Sequence, residues 1–472
     1  MTLDEMLDWD ASSILPLLRD GSLSAREYAE ALVGRADAHK DLHAFCSIHS
    51  ETLIRSAIAA DETPRHERGV LHGLPLVIKD NINVAGMPCS AASPAFIGNV
   101  PREDAECIAR VRRAGALPFG RANMHELALG VTSNNAAFGA VRNPYDRGRA
   151  AGGSSGGNAA AVSARLAPAG IGTDTGGSIR IPAALCGVVG FRPTTGRWPR
   201  NGIIPVSMPS RDTPAPMARS VADCALIDAV VTGESSRPDE FLERPIRLGI
   251  VETAWKDTLP ALVDQVHLAM ALLHENGVKI VEIKPPLEFD YINELGLTIA
   301  LAENLPTLAA YCTEHRLDFD LERFSAQVAS PDVRSVVSLL QSDAAPTQET
   351  YLAALREVRD SARPRWLEAM ANANVDALVM PTTPFPAPRL QGDESVAFAG
   401  RLWPTFPTYV RYCGAASVFG QPSISLPIGT IDHEATHLPV GLQLDGAPGT
   451  DRQLLAIAAH VAPFLPKTPA PK

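Results

Sequence analysis

Lysine is scarce in this sequence: of 472 residues, seven are lysine and 35 are arginine. Most of the lysines sit in polar or terminal contexts, so one that ends an apolar run stands out. Cysteine is also sparse. The seven cysteines are odd in number and no two form a C-x-x-C pair, which excludes a disulfide framework and a zinc knuckle and fits reduced thiols. No stretch of 18 apolar residues occurs, so no membrane span is expected. Met1 to Asp10 lacks a basic stretch followed by an apolar run, so no signal peptide and a cytoplasmic location are expected. No Gly-Lys dipeptide occurs, which removes a phosphate-binding P-loop, and no 20–50-residue period repeats, which removes a solenoid. Positive charge is in deficit: 42 Lys and Arg face 53 Asp and Glu, a net charge of −11. Such a chain has no electrostatic footprint for phosphate backbones or anionic lipid, so no nucleic-acid or membrane partner is expected.

What is present points to a large globular fold. Hydrophobic residues make up 46% of the chain, enough for an extensive core. The first 60 residues read as helices, with Ser24 and Glu27 as a capping box ahead of Tyr28, Leu32 and Ala36 on one face. Residues 71–79 and Leu117-Pro118-Phe119 read as strands, with a helix between them that Asp104 caps and Gly115 ends. From Ile246 onward strands at 246–251, 278–284 and 375–380 alternate with amphipathic helices, and 290–370 is mostly helical. The expected architecture is α/β: a large mixed, mostly parallel central sheet with helices on both faces. The expected organisation is an N-terminal helical arm over 1–60 packed on one domain over 61–465. The tail from Pro466 to Lys472 is expected to be disordered.

Three segments carry chemistry. Lys79 follows Leu74-Pro75-Leu76-Val77-Ile78. Buried there, its ammonium form is disfavoured and the neutral amine can act as a base; taken alone, it reads equally as a strand-end lysine that snorkels to water. Gly152-Gly153-Ser154-Ser155-Gly156-Gly157 allows backbone angles closed to other residues, and an alanine-rich helix follows at once. It matches the G-x-S-x-G elbow of other hydrolases, yet Arg147-Gly148-Arg149 upstream does not read as the strand an elbow needs. Gly172-Thr173-Asp174-Thr175-Gly176-Gly177-Ser178-Ile179-Arg180 sets small residues before a serine, which leaves backbone N–H groups free to form either an oxyanion hole or an ordinary capped turn.

Together the three segments resemble the amidase signature family. Lys79 and Ser154 are 75 residues apart and Ser154 and Ser178 are 24 apart, as in that family, and the resemblance runs from about Gly73 to Val221. It implies a Ser–cis-Ser–Lys triad with Ser178 as nucleophile, Ser154 as bridging serine and Lys79 as base, and a cis peptide at Gly153–Ser154. It implies oxyanion donors among Thr175, Gly176, Gly177 and Ser178, and support from Ser155, Asp174 and Arg180. Asn123 to Leu127 and Gly130 to Ser133 resemble the segment that lines the substrate pocket, so Ala128, Leu129, Gly130 and Val131 are expected to touch substrate. Phe191 to Arg197 and Gly202 to Val206 look like the branch that holds indoleacetamide and mandelamide hydrolases, and Gly420 to Pro422 and Pro439 to Gln443 echo the family's ending. Residues 285–420 match far less well; in relatives that stretch shapes substrate choice.

The activity this implies is cofactor-free, metal-free hydrolysis of aryl or aromatic amides and anilides. Carbamate hydrolysis with the same triad, and a glutaminase subunit of a tRNA-dependent amidotransferase, remain open. The expected partner is a small amide or carbamate, with a homodimer as the assembly. His433-Glu434-Ala435-Thr436-His437 spells H-E-x-x-H, but between Pro427 and Pro439 a short loop fits better than the helix a zinc site needs. Asp174-Thr175-Gly176 mimics an aspartic-protease triplet without the second carboxylate such chemistry requires.

Overall fold

A computed structural model describes residues 2–235, 244–251, 255, 257–390, 395–398 and 400–471. Its centre is an 11-stranded sheet. In spatial order the strands are Phe45–Ile48, Leu117–Ala122, Pro75–Lys79, Ala169–Asp174, Thr213–Ala218, Val189–Arg192, Ser423–His433, Thr436–Asp445, Ala377–Pro381, Arg247–Ile250 and Lys279–Glu282. Helices flank the sheet, as the alternation of elements implies.

The sheet is mixed, but it is not mostly parallel. Parallel pairing is confined to two blocks: Leu117–Ala122, Pro75–Lys79 and Ala169–Asp174 near one edge, and Ala377–Pro381, Arg247–Ile250 and Lys279–Glu282 at the other. Between them, from Ala169–Asp174 to Ala377–Pro381, each neighbour is antiparallel. The reason lies in the connections. Helical crossovers such as Glu106–Arg113 join parallel neighbours, whereas Ser423–His433 and Thr436–Asp445 are joined by a tight turn through Glu434 and Ala435, both at positive φ, and a hairpin can only be antiparallel. That turn contains the H-E-x-x-H string, so His433 and His437 lie on two strands of a hairpin and not on one helix face.

Four local expectations need correction. Phe45–Ile48 is an edge strand within the otherwise helical first 60 residues. Ser24 accepts from the Glu27 N–H, but the rest of that helix start is held by Asp61, which accepts from Ser24 Oγ and from the N–H groups of Ala25 and Arg26. Asp104 does not cap a helix; it accepts from the Ala85 N–H and from Arg112. The tail is not loose, because Thr468 Oγ1 accepts from the Gly429 N–H and Pro469 O accepts from Tyr145 Oη.

Two features of the core position the site. Pro75–Lys79 and Ala169–Asp174 are buried at every residue, as central parallel strands that are covered on both faces must be. Their register pairs Ile78 with Ile171, so Lys79 and Thr173 emerge at neighbouring carboxyl ends, where open α/β sheets place their ligands. Among the described residues, no helix is long and apolar enough to cross a membrane.

Candidate active site

Lys79 ends its strand fully buried. Its Nζ donates to Ser154 Oγ at 2.8 Å and to Thr173 Oγ1 at 2.8 Å, with Thr173 O at 3.4 Å. It has no ion pair among the described residues. Burial lowers its pKa to about 7, although the charges of Asp174 and Asp212 pull the other way. The snorkelling alternative is therefore set aside: the amine points into the protein and meets a serine.

Ser154 follows a cis peptide bond, Gly153–Ser154. Its carbonyl accepts from the His125 N–H at 3.0 Å and from Ser133 Oγ at 3.3 Å, which ties the serine-rich loop to the 123–133 segment. The strand before that loop, Asp146–Ala150, is present against expectation. It pairs with Arg142–Asn143 in a separate ribbon and not in the central sheet, so the G-x-S-x-G match does not make an elbow at the sheet's edge. Ser155 stands where it can support the loop: its Oγ donates to Thr173 O at 3.1 Å and its N–H donates to Ser178 O at 3.1 Å. That backbone bond sets Ser178 beside the Ser154–Ser155 pair.

The turn from Asp174 to Ser178 is held from below by charge. Arg180 Nε and Nη2 reach the two Asp174 oxygens at 3.0 Å each, and Arg192 Nη1 lies 3.1 Å from Oδ1. Burial alone would raise the Asp174 pKa; the two guanidinium groups overcome it and hold the carboxyl well below the usual carboxylate range. Asp174 also accepts from the Gly177 N–H at 2.9 Å and the Ile179 N–H at 3.2 Å. Gly177 is thereby removed from the expected oxyanion donors, since its N–H is already committed. The N–H groups of Thr175, Gly176 and Ser178 have no other partner among the described residues. Gly177 is glycine for a steric reason: its φ is +122°, and a Cβ there would lie 2.6 Å from Cys413 Cβ.

One cavity of about 520 Å³ opens onto this turn. Ser178, Thr175 and Gly176 line it, and so do all four expected substrate contacts, Ala128, Leu129, Gly130 and Val131. Much of the remaining wall comes from the stretch that the sequence left unread. Helix Phe289–Glu314 presents Asn293, Leu297, Ala300, Leu301 and Asn304, one face at helical spacing. Helix Pro331–Leu340 adds Asp332, Val336 and Leu339, and Pro404 to Pro407 closes a further side.

Three residues at or beside the site were missed. Thr173, the second partner of Lys79, has no signal of its own. Asp212 accepts from Thr175 Oγ1 at 2.5 Å and from the Val206 and Ser207 N–H groups, and so fixes the turn from its other side. Arg211 lines the cavity. These last two had a signal, because they are the only charged residues between 201 and 218.

A family model for amidases matches residues 27–455 of this chain. The chain belongs to the amidase signature family. This amidase is 40% identical to the indoleacetamide hydrolase of Agrobacterium vitis over 452 residues, covering 94% of each chain. It is 34% identical to the mandelamide hydrolase of Pseudomonas putida, over 96% of this chain and 91% of that one. Among solved structures, the peptide amidase of Stenotrophomonas maltophilia superposes with a TM-score of 0.86 at 30% identity over 99% of both chains. The Lys79, Ser154 and Ser178 segments all lie within the matched span.

Proposed function

We propose that this amidase hydrolyses small amides with an aromatic or otherwise apolar acyl group, through an acyl-enzyme on Ser178. The observation that carries the reading is the buried Lys79–Ser154 contact behind a carbon-walled cavity that also holds Ser178. With a pKa near 7, Lys79 is substantially neutral at neutral pH and accepts a proton from Ser154 Oγ while Thr173 Oγ1 and O hold its own N–H groups. Ser154 in turn accepts the Ser178 proton as Ser178 Oγ attacks the carbonyl carbon. The N–H groups of Thr175, Gly176 and Ser178 hold the oxyanion. The proton returns by the same path to the departing nitrogen, and water then releases the acid by the reverse relay.

The walls favour an apolar acyl group because Leu129, Val131, Val206, Leu297 and Leu301 offer carbon to the substrate. The names of the relatives point the same way, toward primary amides of arylacetic acids. A carbamate offers the same carbonyl to the same serine. A glutaminase role would bring a charged amino acid against these walls and is the weaker reading.

The test compares 2-phenylacetamide with an aryl anilide and an N-aryl carbamate that both release 4-nitroaniline. Hydrolysis of the amides by the purified chain, abolished in Ser178→Ala, is the expected result. A carbamate turned over faster than either amide would overturn the amide preference. Undiminished turnover by Ser178→Ala would overturn the nucleophile.

A further inference from the structure

Arg211 lines the cavity that holds Ser178 and is a charged group that the reaction above does not use; Asp332, also on the wall, is paired with His125. Arg211 is buried, with 7% of its surface exposed. Among the described residues its guanidinium makes no hydrogen bond and no ion pair; its Nε is a buried donor with no acceptor. Buried guanidinium donors are costly to leave unmade, so a position that keeps them free is informative.

The surroundings show a slot built around this side chain. Its own carbonyl accepts from Arg192 Nη2 at 3.1 Å and from Thr213 Oγ1 at 2.9 Å. The next residue, Asp212, grips Thr175 in the turn that carries Ser178. The stem is thus tied to the nucleophile's turn from both sides. Opposite, helix Phe289–Glu314 has a glycine, Gly296, where a Cβ would come within 2.7 Å of Arg211 Nη1. Glycine is unfavourable inside a helix, and here it leaves room for the guanidinium and for Val418, the other atom a Cβ would meet.

The charge balance says what kind of group completes the slot. Burial lowers the Arg211 pKa, while the charges of Asp212 and Glu303 raise it. Those two carboxylates spend their oxygens elsewhere: Asp212 on Thr175, Val206 and Ser207, and Glu303 on Ser207, Ser210 and Tyr351. Arg211 therefore already has counter-charge nearby and lacks only acceptors. A substrate carboxylate brought to it would be a further negative charge beside those already there, whereas an uncharged oxygen satisfies the donors at no such cost.

We infer that Arg211 is a specificity-determining residue that binds an uncharged oxygen acceptor (a hydroxyl, ether or carbonyl) on the acyl group of the substrate. The inference rests on the proposed hydrolysis of primary amides, whose ammonia leaving group has no oxygen to offer. It adds that the preferred acyl group is not purely hydrocarbon.

The experiment uses 2-phenylacetamide and four derivatives: 2-hydroxy, 2-oxo, 4-methoxy and 2-carboxylate. For the parent protein, the best uncharged oxygen-bearing member should exceed 2-phenylacetamide by about tenfold or more in kcat/KM, and the carboxylate should fall below it. In Arg211→Met that ratio should collapse toward one, whatever the absolute loss; Arg211→Lys, which lacks the fork, should recover part of it. Gly296→Ala, which crowds the guanidinium from the opposite helix, should lower the ratio without touching Arg211. The same panel is measured as equilibrium affinity in Ser178→Ala, so that failure of the reaction and failure of the slot are told apart. A parent ratio near one for every uncharged derivative, a ratio unchanged in Arg211→Met, or preference for the carboxylate would each overturn the inference.

Discussion

Asp174 and Arg180 form a two-pronged ion pair, Oδ2 to Nε and Oδ1 to Nη2 at 3.0 Å each, with both side chains fully buried. The pair does two things for the site. It aims Asp174 at the Gly177 and Ile179 N–H groups, which shapes the turn under Ser178. It also matches the strongest nearby negative charge with guanidinium groups, so that Lys79 is left with hydroxyl and carbonyl partners in place of a counter-ion.

Breaking a buried ion pair typically costs about 3–5 kcal/mol; Arg192 still lies beside Asp174 when Arg180 is removed, which sets that loss toward the lower end of the range. Arg180→Met and Asp174→Asn should each lower the unfolding free energy by about that much in denaturant titrations. The double variant should lose less than the sum of the two. Additive losses would show that the two side chains act independently.

Activity should follow the neutral form of Lys79. Its pKa is lowered to about 7, so kcat/KM should rise with pH through that region and persist into mildly alkaline buffer. A pH series on the folded protein checks this, and a profile that falls above neutrality would contradict the lysine-base role. Lys79→Met should cost at least about a thousandfold in turnover, because relays of this kind fail as units.

The same shift has a consequence for stability. Lysine has a pKa of 10.5 in its ordinary state and about 7 in the folded protein. Between those values the unfolded chain binds the proton that the folded one has lost, so stability rises with pH across that window. Lys79→Met removes the effect. The stability of the parent relative to the variant should therefore improve by about 2–3 kcal/mol between pH 6 and pH 9. Denaturation midpoints for both proteins at the two pH values measure it; parallel changes would mean that Lys79 is not desolvated.

Gly177→Ala places a β-carbon at φ +122° and 2.6 Å from Cys413 Cβ. The backbone of the turn must shift, and Ser178 with it. Both stability and kcat should fall, measured by denaturation and by steady-state kinetics, while Gly176→Ala, where a Cβ meets nothing within 4 Å, should be tolerated better in stability.

Leu301→Ala removes carbon from the cavity wall, where on the proposed reading it would meet the acyl group before and during reaction alike. KM for 2-phenylacetamide should rise several-fold with kcat little changed, the signature of lost uniform binding at about 1–3 kcal/mol per hydrophobic contact.

Much of the site is legible in the sequence because its residues come from short, chemically unusual strings. A lysine after five apolar residues, a serine pair between glycines, and Asp174 with Arg180 around a small-residue turn are local anomalies. The structure finds Lys79 against Ser154 and Ser155 against Ser178. Thr173 could not be read in this way, because its role depends on the register that sets Ile78 opposite Ile171. The engagement of the Gly177 N–H is hidden for a related reason: it becomes visible only when Asp174 is seen turning back toward it. The expectation of a mostly parallel sheet follows the alternation of strand and helix from Ile246 onward; that alternation does not show the antiparallel pairings between strands far apart in sequence, such as Val189–Arg192 with Ser423–His433 and Ala377–Pro381 with Thr436–Asp445.

The sequence by itself determined the family and the segments that form the candidate site, since a lysine that ends an apolar run, paired serines and the glycines around them are properties of short strings. Tertiary structure alone decided what surrounds those segments. The Arg211 guanidinium packs against Gly296, and Glu126 accepts from Ala329 and Ser330, which anchors the start of a wall helix about two hundred residues along the chain. Contacts of that kind depend on how helices far apart in sequence pack on the sheet, and hydrophobic periodicity specifies that a helix has a buried face without specifying what that face will meet.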